Sequence, residues 1–219
     1  MTPRLNKYIF FTEREAETMA GETKFENPEA PRDGQPVLNV WQRFRGHFTT
    51  VCTHRRLVRK NCFRVGLYWQ GLTHDLSKFS PVEFGVGIRY FQGYRSPNAA
   101  ERQLTGVSRA WLHHKGRNKH HYEYWTDVVA QPEGGFRFGG CRMPKRYVAE
   151  MFCDRVAASK VYKKEAYNDG CPSEFFNKSR AWMPIHPETS ALLESWLVTL
   201  RDEGEEAAFA RVRREWREQ

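Results

Sequence analysis

The sequence predicts an all-α fold, and three observations carry that reading. Apolar residues recur at spacings of three and four from Val37 to about Leu72, again after Pro144, and again after Pro187. Such spacing stacks side chains on one face of a helix. Helix-start signals stand where the pattern restarts, at Ser80-Pro81, Ser96-Pro97, Pro144 and Pro187. No run of period-2 alternation is long enough to compel a sheet. At 219 residues, 40% of them hydrophobic, the chain suffices for one core.

Residues 1–37 are polar and turn-rich and predict an irregular N-terminal arm, on which Tyr8-Ile9-Phe10-Phe11 suits a docked strand or a first helical turn. Val40, Phe44, His47, Val51, His54, Val58, Cys62 and Val65 then share one helical stripe. Gly66, or the basic Arg55–Lys60 region, divides this stretch in two, so His74 and Asp75 fall at the end of a buried helix. In Ser80-Pro81-Val82-Glu83 the serine caps, the proline suits the first turn and the glutamate completes a capping box. That helix carries Phe84, Ile88, Tyr90 and Phe91 as far as Gly93.

Ser96-Pro97 opens the next helix, with Leu104, Val107, Ala110, Trp111 and His114 on one face. Arg117-Asn118 makes a turn before a short aromatic helix at 121–125. The Gly-rich stretch 131–143 lacks the Gly-Lys-Ser/Thr ending of a phosphate loop and reads as a connector or lid. The helix after Pro144 turns Val148, Met151, Phe152, Val156, Ala157 and Val161 inward, with Asp154 in its middle. A loop at 168–187 holds a short helix at Ser173–Ser179, and the helix from Pro187 presents Leu192, Leu193, Trp196, Leu197 and Leu200. The Glu- and Arg-rich tail 202–219 continues as an exposed helix, leaving 38–201 as the main domain. Trp69, Trp111, Phe79 and Phe84 read as core.

Composition narrows the function classes. No stretch approaches the roughly 20 apolar residues of a membrane span, and the N-terminus lacks a signal peptide's apolar core and cleavage site. The expectation is a soluble, cytoplasmic protein. Five cysteines without a CxxC pair argue against a disulfide framework and a Cys-rich zinc site. A net charge of +9 favours anionic partners such as phosphoesters, nucleotides or nucleic acid.

The chemistry concentrates in Thr73-His74-Asp75-Leu76-Ser77-Lys78-Phe79 and in the stretch from Trp111 to His121, which together hold five of the eight histidines. Imidazole and carboxylate are ready ligands for divalent transition metals. His54, His74, Asp75, His113, His114, His120, His121 and Asp154 are the candidate ligands, and the sequence leaves open which member of each His-His pair binds. Lys78, Arg117 and Lys119 are candidates for meeting phosphate, while His47 and Glu123 are candidates for supporting a ligand from behind. Taken singly, each has a plainer reading: His54 as a helix residue, the His-His pairs as exposed polar groups, Asp154 as a salt-bridge partner.

Together the order H…HD…D, at His54, His74-Asp75 and Asp154, resembles the HD-domain phosphohydrolases. HDLSKFSPVEF, AWLHHKGRNKHHYEYW and EMFCDRVAASK look like an uncharacterised bacterial and phage family of HD-like proteins over roughly residues 40 to 165. The resemblance implies an HD-domain-like helical bundle and one or two divalent ions, with Mn, Fe, Mg, Zn, Co and Ni not separable. It also implies hydrolysis of a small phosphoester or nucleotide. Asp75 and Lys78 are then catalytic, the lysine matching an HD-x-x-K doublet beside the scissile phosphate. From a different class, a basic helical nucleic-acid-binding protein fits the charge, with the metal serving only to staple the fold.

Overall fold

The computed structural model describes residues 37–218, so the N-terminal arm and the Tyr8–Phe11 segment lie outside the described residues. Eight α-helices and one two-stranded sheet are present among them. The helical class is as expected; the sheet is not.

Helix α1 (Val40–Arg64) opens on a capping box made by Asn39 and Gln42, each side chain accepting from the other's backbone N–H at 2.9 Å. It runs unbroken through the basic Arg55–Lys60 region and ends before Gly66. Helix α2 (Tyr68–Thr73) stops at His74, and a 3₁₀ turn (Leu76–Phe79) leads into α3 (Pro81–Arg89). Contrary to the sequence reading, α2 lies at the surface, with Trp69 73% exposed and Phe79 also exposed. Of the four aromatics expected in the core, only Trp111 and Phe84 are even half-buried.

The single helix expected from Ser96 to His114 is two, α4 (Pro97–Thr105) and α5 (Arg109–Lys115). Gly106 between them has φ 79, a conformation that interrupts a helix and costs glycine little, and Ser108 caps α5 through the Trp111 N–H. The aromatic stretch at 122–125 is a 3₁₀ turn. After it, β1 (Thr126–Ala130) pairs antiparallel with β2 (Phe136–Gly140) in the register Val128↔Phe138. This hairpin corrects the reading of 131–143 as a connector or lid without regular structure, since β2 occupies Phe136–Gly140. Its Val128, Phe136 and Phe138 are exposed, so no alternation of buried and exposed residues marked it.

Helix α6 (Lys145–Lys163) is the central element, with Val148, Phe152 and Val156 fully buried against Val58 and Cys62 of α1. Helix α7 (Cys171–Arg180) adds Phe176. Helix α8 (Pro187–Glu215) contributes Leu193, Trp196, Leu197 and Leu200, then reverses at Gly204, whose φ 83, ψ 176 is accessible only to glycine. The reversal brings Arg211 onto the Ser195 carbonyl (3.2 Å) and Thr199 Oγ1 (2.6 Å), and Glu215 onto the Trp196 indole (2.7 Å). In a straight helix, residues 16 apart lie about 24 Å from each other. The tail is therefore no exposed extension: Ala208, Phe209 and Val212 are buried in the same core.

Candidate metal centre

Four elements deliver polar side chains to one buried point between α1, α5 and α6. His54 projects from the middle of α1, on the stripe that also carries Val51 and Val58. His74 closes α2, its N–H bonded to the Gln70 carbonyl, and Asp75 follows in the left-handed region with φ 53 and ψ 29. That conformation costs a non-glycine residue about 1–3 kcal/mol, least for Asp and Asn. It turns the chain sharply enough that His74 and Asp75 face the same interior. Asp154 and Glu150 stand one turn apart on α6.

Asp75 is the hub. Its Oδ2 lies 3.3 Å from His74 Nε2 and 3.6 Å from His54 Nε2. Its Oδ1 lies 3.3 Å from His114 Nε2 and 3.4 Å from His120 Nε2. Asp154 Oδ1 approaches His54 Nε2 at 3.0 Å and His74 Nε2 at 3.7 Å. His121 Nε2 lies 2.9 Å from His114 Nε2. Three groups result, each with its ligand atoms within 4.8 Å of one another: His54–His74–Asp154, Asp75–His114–His120–His121, and His74–His120–Glu150.

These atoms fit a cation better than they fit each other. His54 Nε2, His74 Nε2, Asp75 Oδ1 and His120 Nε2 are buried with no hydrogen-bond partner. They make up four of the seven such side-chain atoms among the described residues. Each orphan costs about 1–3 kcal/mol, and divalent ions held in the first two groups would satisfy His54 and His74 in one and Asp75 and His120 in the other. Their separations are short, yet the atoms are not aimed at one another as hydrogen bonds. That is the geometry of donors arranged about a common point. These buried His and Asp groups can hold a metal ion.

Behind the ligands stand two carboxylates that the sequence reading did not assign. Glu150 Oε1 accepts from His74 Nδ1 (3.0 Å) and from His120 Nδ1 (3.2 Å). Glu83 accepts from His113 Nδ1 at 2.6 Å and from His114 Nδ1 at 2.7 Å. An ionised carboxylate only accepts, so each of these rings carries a proton on Nδ1 and turns Nε2 away from the glutamate. Glu150 had a signal, its place one helical turn before Asp154. Glu83 was assigned to a capping box: Ser80 does accept from the Glu83 N–H, at 3.4 Å, but the Glu83 carboxylate turns away to the histidines.

The electrostatics follow from this crowding. Burial alone would raise Asp75, but His74, Lys78 and His114 hold its carboxyl well below the usual range. Asp154, likewise opposed by burial, is held low by His54 and His74. His74 is pushed down by burial yet ends well above its ordinary value, because Asp75, Asp154 and Glu150 surround it. His121, buried beside His120 and His114, moves well below. Lys78 Nζ sits 2.7 Å from Asp75 Oδ2, and its side chain remains 28% exposed, so it spans from solvent to the hub.

Other candidates fall elsewhere. In the His113–His114 pair only His114 joins the cluster, because neighbours on a helix point about 100° apart; His120 and His121 follow the helix in a turn, and both join. His47, expected behind a ligand, packs on Phe84 and Phe91 and lies so close over Gly87 that no Cβ fits there. Burial, then the charge of Lys78, lowers its pKa to about 4. Glu123 has Tyr122, Lys115 and Arg155 as its charged and polar neighbours, and no hydrogen bond joins it to a histidine ring among the described residues. Arg117 is exposed and donates to the His113 carbonyl at 3.3 Å. Lys119 is exposed with its ammonium over the rings of Tyr124 and Tyr147. Asn118, placed in a turn as expected, also donates to Ser77 Oγ at 2.8 Å and ties the His-rich turn to the His74–Lys78 segment.

Residues 43–199 match one protein family over most of the chain. The chain belongs to the DUF5662 family, a family of unknown function. Every candidate ligand, with Glu83 and Glu150, lies inside the matched region, whereas the reversal at Gly204 and the segment after it lie outside. No curated protein and no solved structure matches the chain.

Proposed function

We propose that this protein is an HD-like, metal-dependent phosphohydrolase acting on a small phosphoester or nucleotide. The observation that carries the reading is Asp75, a buried carboxylate with one oxygen toward His54 and His74 and the other toward His114 and His120. His54, His74 and Asp154 on one side of Asp75, and His114, His120 and His121 on the other, would hold one or two divalent ions. The chain order of the first set, His54, His74-Asp75 and Asp154, is the HD order. Ions held there supply Lewis-acid polarisation of a phosphoryl oxygen and an acidified water.

The chain's own residues do the rest. Asp75 and Asp154 stay ionised and so remain donors. Glu150 and Glu83 fix three of the ligand rings in the tautomer that presents Nε2. Lys78, cationic and partly open to solvent, stands where it can meet the negative charge of a phosphoryl group and release Asp75 to its other contacts. No helix among the described residues is long and apolar enough to cross a membrane.

The first test is elemental mass spectrometry of wild type and Asp75→Ala, followed by turnover of phosphoesters with added Mn, Mg, Fe, Co, Ni or Zn. Metal in the wild type, its loss in the folded variant and hydrolysis lost with it support the reading. A metal-loaded wild type that hydrolyses none of them would reduce the metal to a structural role. A second reading rests on the groove where Arg64, Arg213, Arg214 and Arg217 outnumber Glu206 and Glu218, a basic balance that suits nucleic acid although Arg64 is itself paired with Glu205 and Glu206. Binding there would weaken steeply with salt and survive loss of Asp75.

A further inference from the structure

We infer that Glu150 is a positioning residue shared by both halves of the metal cluster, so that occupancy of the two positions depends on one carboxylate. The inference rests on the two-ion reading above and adds to it a residue that acts through the Nδ1 atoms of His74 and His120, on the side of each ring away from its Nε2.

The geometry is specific. A single oxygen, Glu150 Oε1, accepts from the Nδ1 of His74 at 3.0 Å and of His120 at 3.2 Å. His74 faces Asp154 Oδ1 and Asp75 Oδ2, while His120 lies nearer Asp75 Oδ1 (3.4 Å) than Asp154 Oδ2 (4.0 Å). The two rings are close neighbours, centroids 4.4 Å apart and planes 38° apart. Each ring turns its Nδ1 to Glu150 and leaves an unpartnered, buried Nε2 on its far side. Glu150 is itself buried and rises from the same face of α6 as Asp154, so a helix anchored in the core sets its position. Where Asp75 joins the two halves in front, Glu150 joins them behind.

Glu83 supplies the internal control. It supports His114 in the same way, but its second histidine, His113, belongs to neither ligand group. The two glutamates therefore make different predictions for the same chemical change. Removing the charge of Glu150 loosens one ring in each half; removing that of Glu83 loosens a ring in one half only.

The experiment is a calorimetric titration of metal-free protein with Mn and with Zn, for wild type, Glu150→Gln and Glu83→Gln, with metal content after gel filtration as a second readout. Loss of such a supporting partner typically weakens metal binding about 10–100-fold. Wild type is expected to take two equivalents. Glu150→Gln should weaken both by about that factor, and Glu83→Gln should weaken one and spare the other. A purely structural role for Glu150 would lower the melting temperature of the metal-free protein without this pattern. If Glu150→Gln affects one equivalent or none, or if Glu83→Gln affects both alike, the shared role is wrong. A wild type that binds no metal overturns the two-ion reading itself, and that result is separable because it appears before any variant is compared. Should Glu150→Gln not fold, Glu150→Asp keeps the charge and shortens the reach by one methylene. It must still weaken both equivalents if the inference holds.

Discussion

Replacing Asp75 by asparagine preserves the shape of the side chain and removes its charge, which separates the two jobs this residue does. In the metal-free protein the carboxylate is 1% exposed and lies 2.7 Å from Lys78 Nζ. Breaking a buried pair by neutralising one partner costs about 3–5 kcal/mol. Lys78 keeps 28% of its side chain in solvent and can recover part of its hydration, which places the cost near the low end, about 3 kcal/mol. For a chain of this size that corresponds to a fall in melting temperature of roughly 6–12 °C. Urea unfolding in excess chelator measures it. The double variant Asp75→Asn/Lys78→Met should regain most of the lost stability, since the stranded ammonium is gone, yet bind no more metal than Asp75→Asn alone. The decisive readout is metal content. If Asp75→Asn still holds two equivalents with wild-type affinity, Asp75 is not the hub, and the two histidine groups owe their arrangement to packing alone.

Two further outcomes concern the histidines. His47, with its pKa lowered to about 4 from 6.5 by burial and then by Lys78, must stay neutral when the protein is folded. The unfolded chain takes up its proton first, so stability from this residue is intact above pH 6.5 and lost as pH falls toward 4, by up to about 3 kcal/mol. His47→Leu should flatten the wild-type decline over that interval in urea titrations with chelator present, and an unchanged slope would refute the assignment. Among the paired histidines, His114→Ala should remove or greatly weaken one metal equivalent while His113→Ala leaves both, measured by the same titration. Equal effects would mean that Glu83, which both rings share, matters more than ligation.

The ligand types were legible in the sequence because few other arrangements place so many imidazoles and acids near a His-Asp doublet. Helices α1, α6 and the first part of α8 were legible for the same reason that they form: each must bury a stripe, and the stripe shows as a spacing of three and four. The hairpin was not, since both of its strands leave their large side chains in solvent and impose no pattern. Nor was the fate of the tail. Its many Glu and Arg residues hide the three that matter, Ala208, Phe209 and Val212, which reach the core only because the chain turns back at Gly204.

The sequence by itself determined which chemistry is present: the His and Asp donors, their order along the chain, and the helices that carry most of them. Only the tertiary structure decided their roles. It brings His114 and not His113 into the candidate cluster, admits both His120 and His121, sets His47 and Glu123 aside, and places Glu83 and Glu150 against the Nδ1 atoms of candidate ligands. The physical reason is that a ligand is defined by where a ring nitrogen points. That direction is fixed by hydrogen bonds between residues as far apart in sequence as His74 and Glu150, which no local spacing encodes.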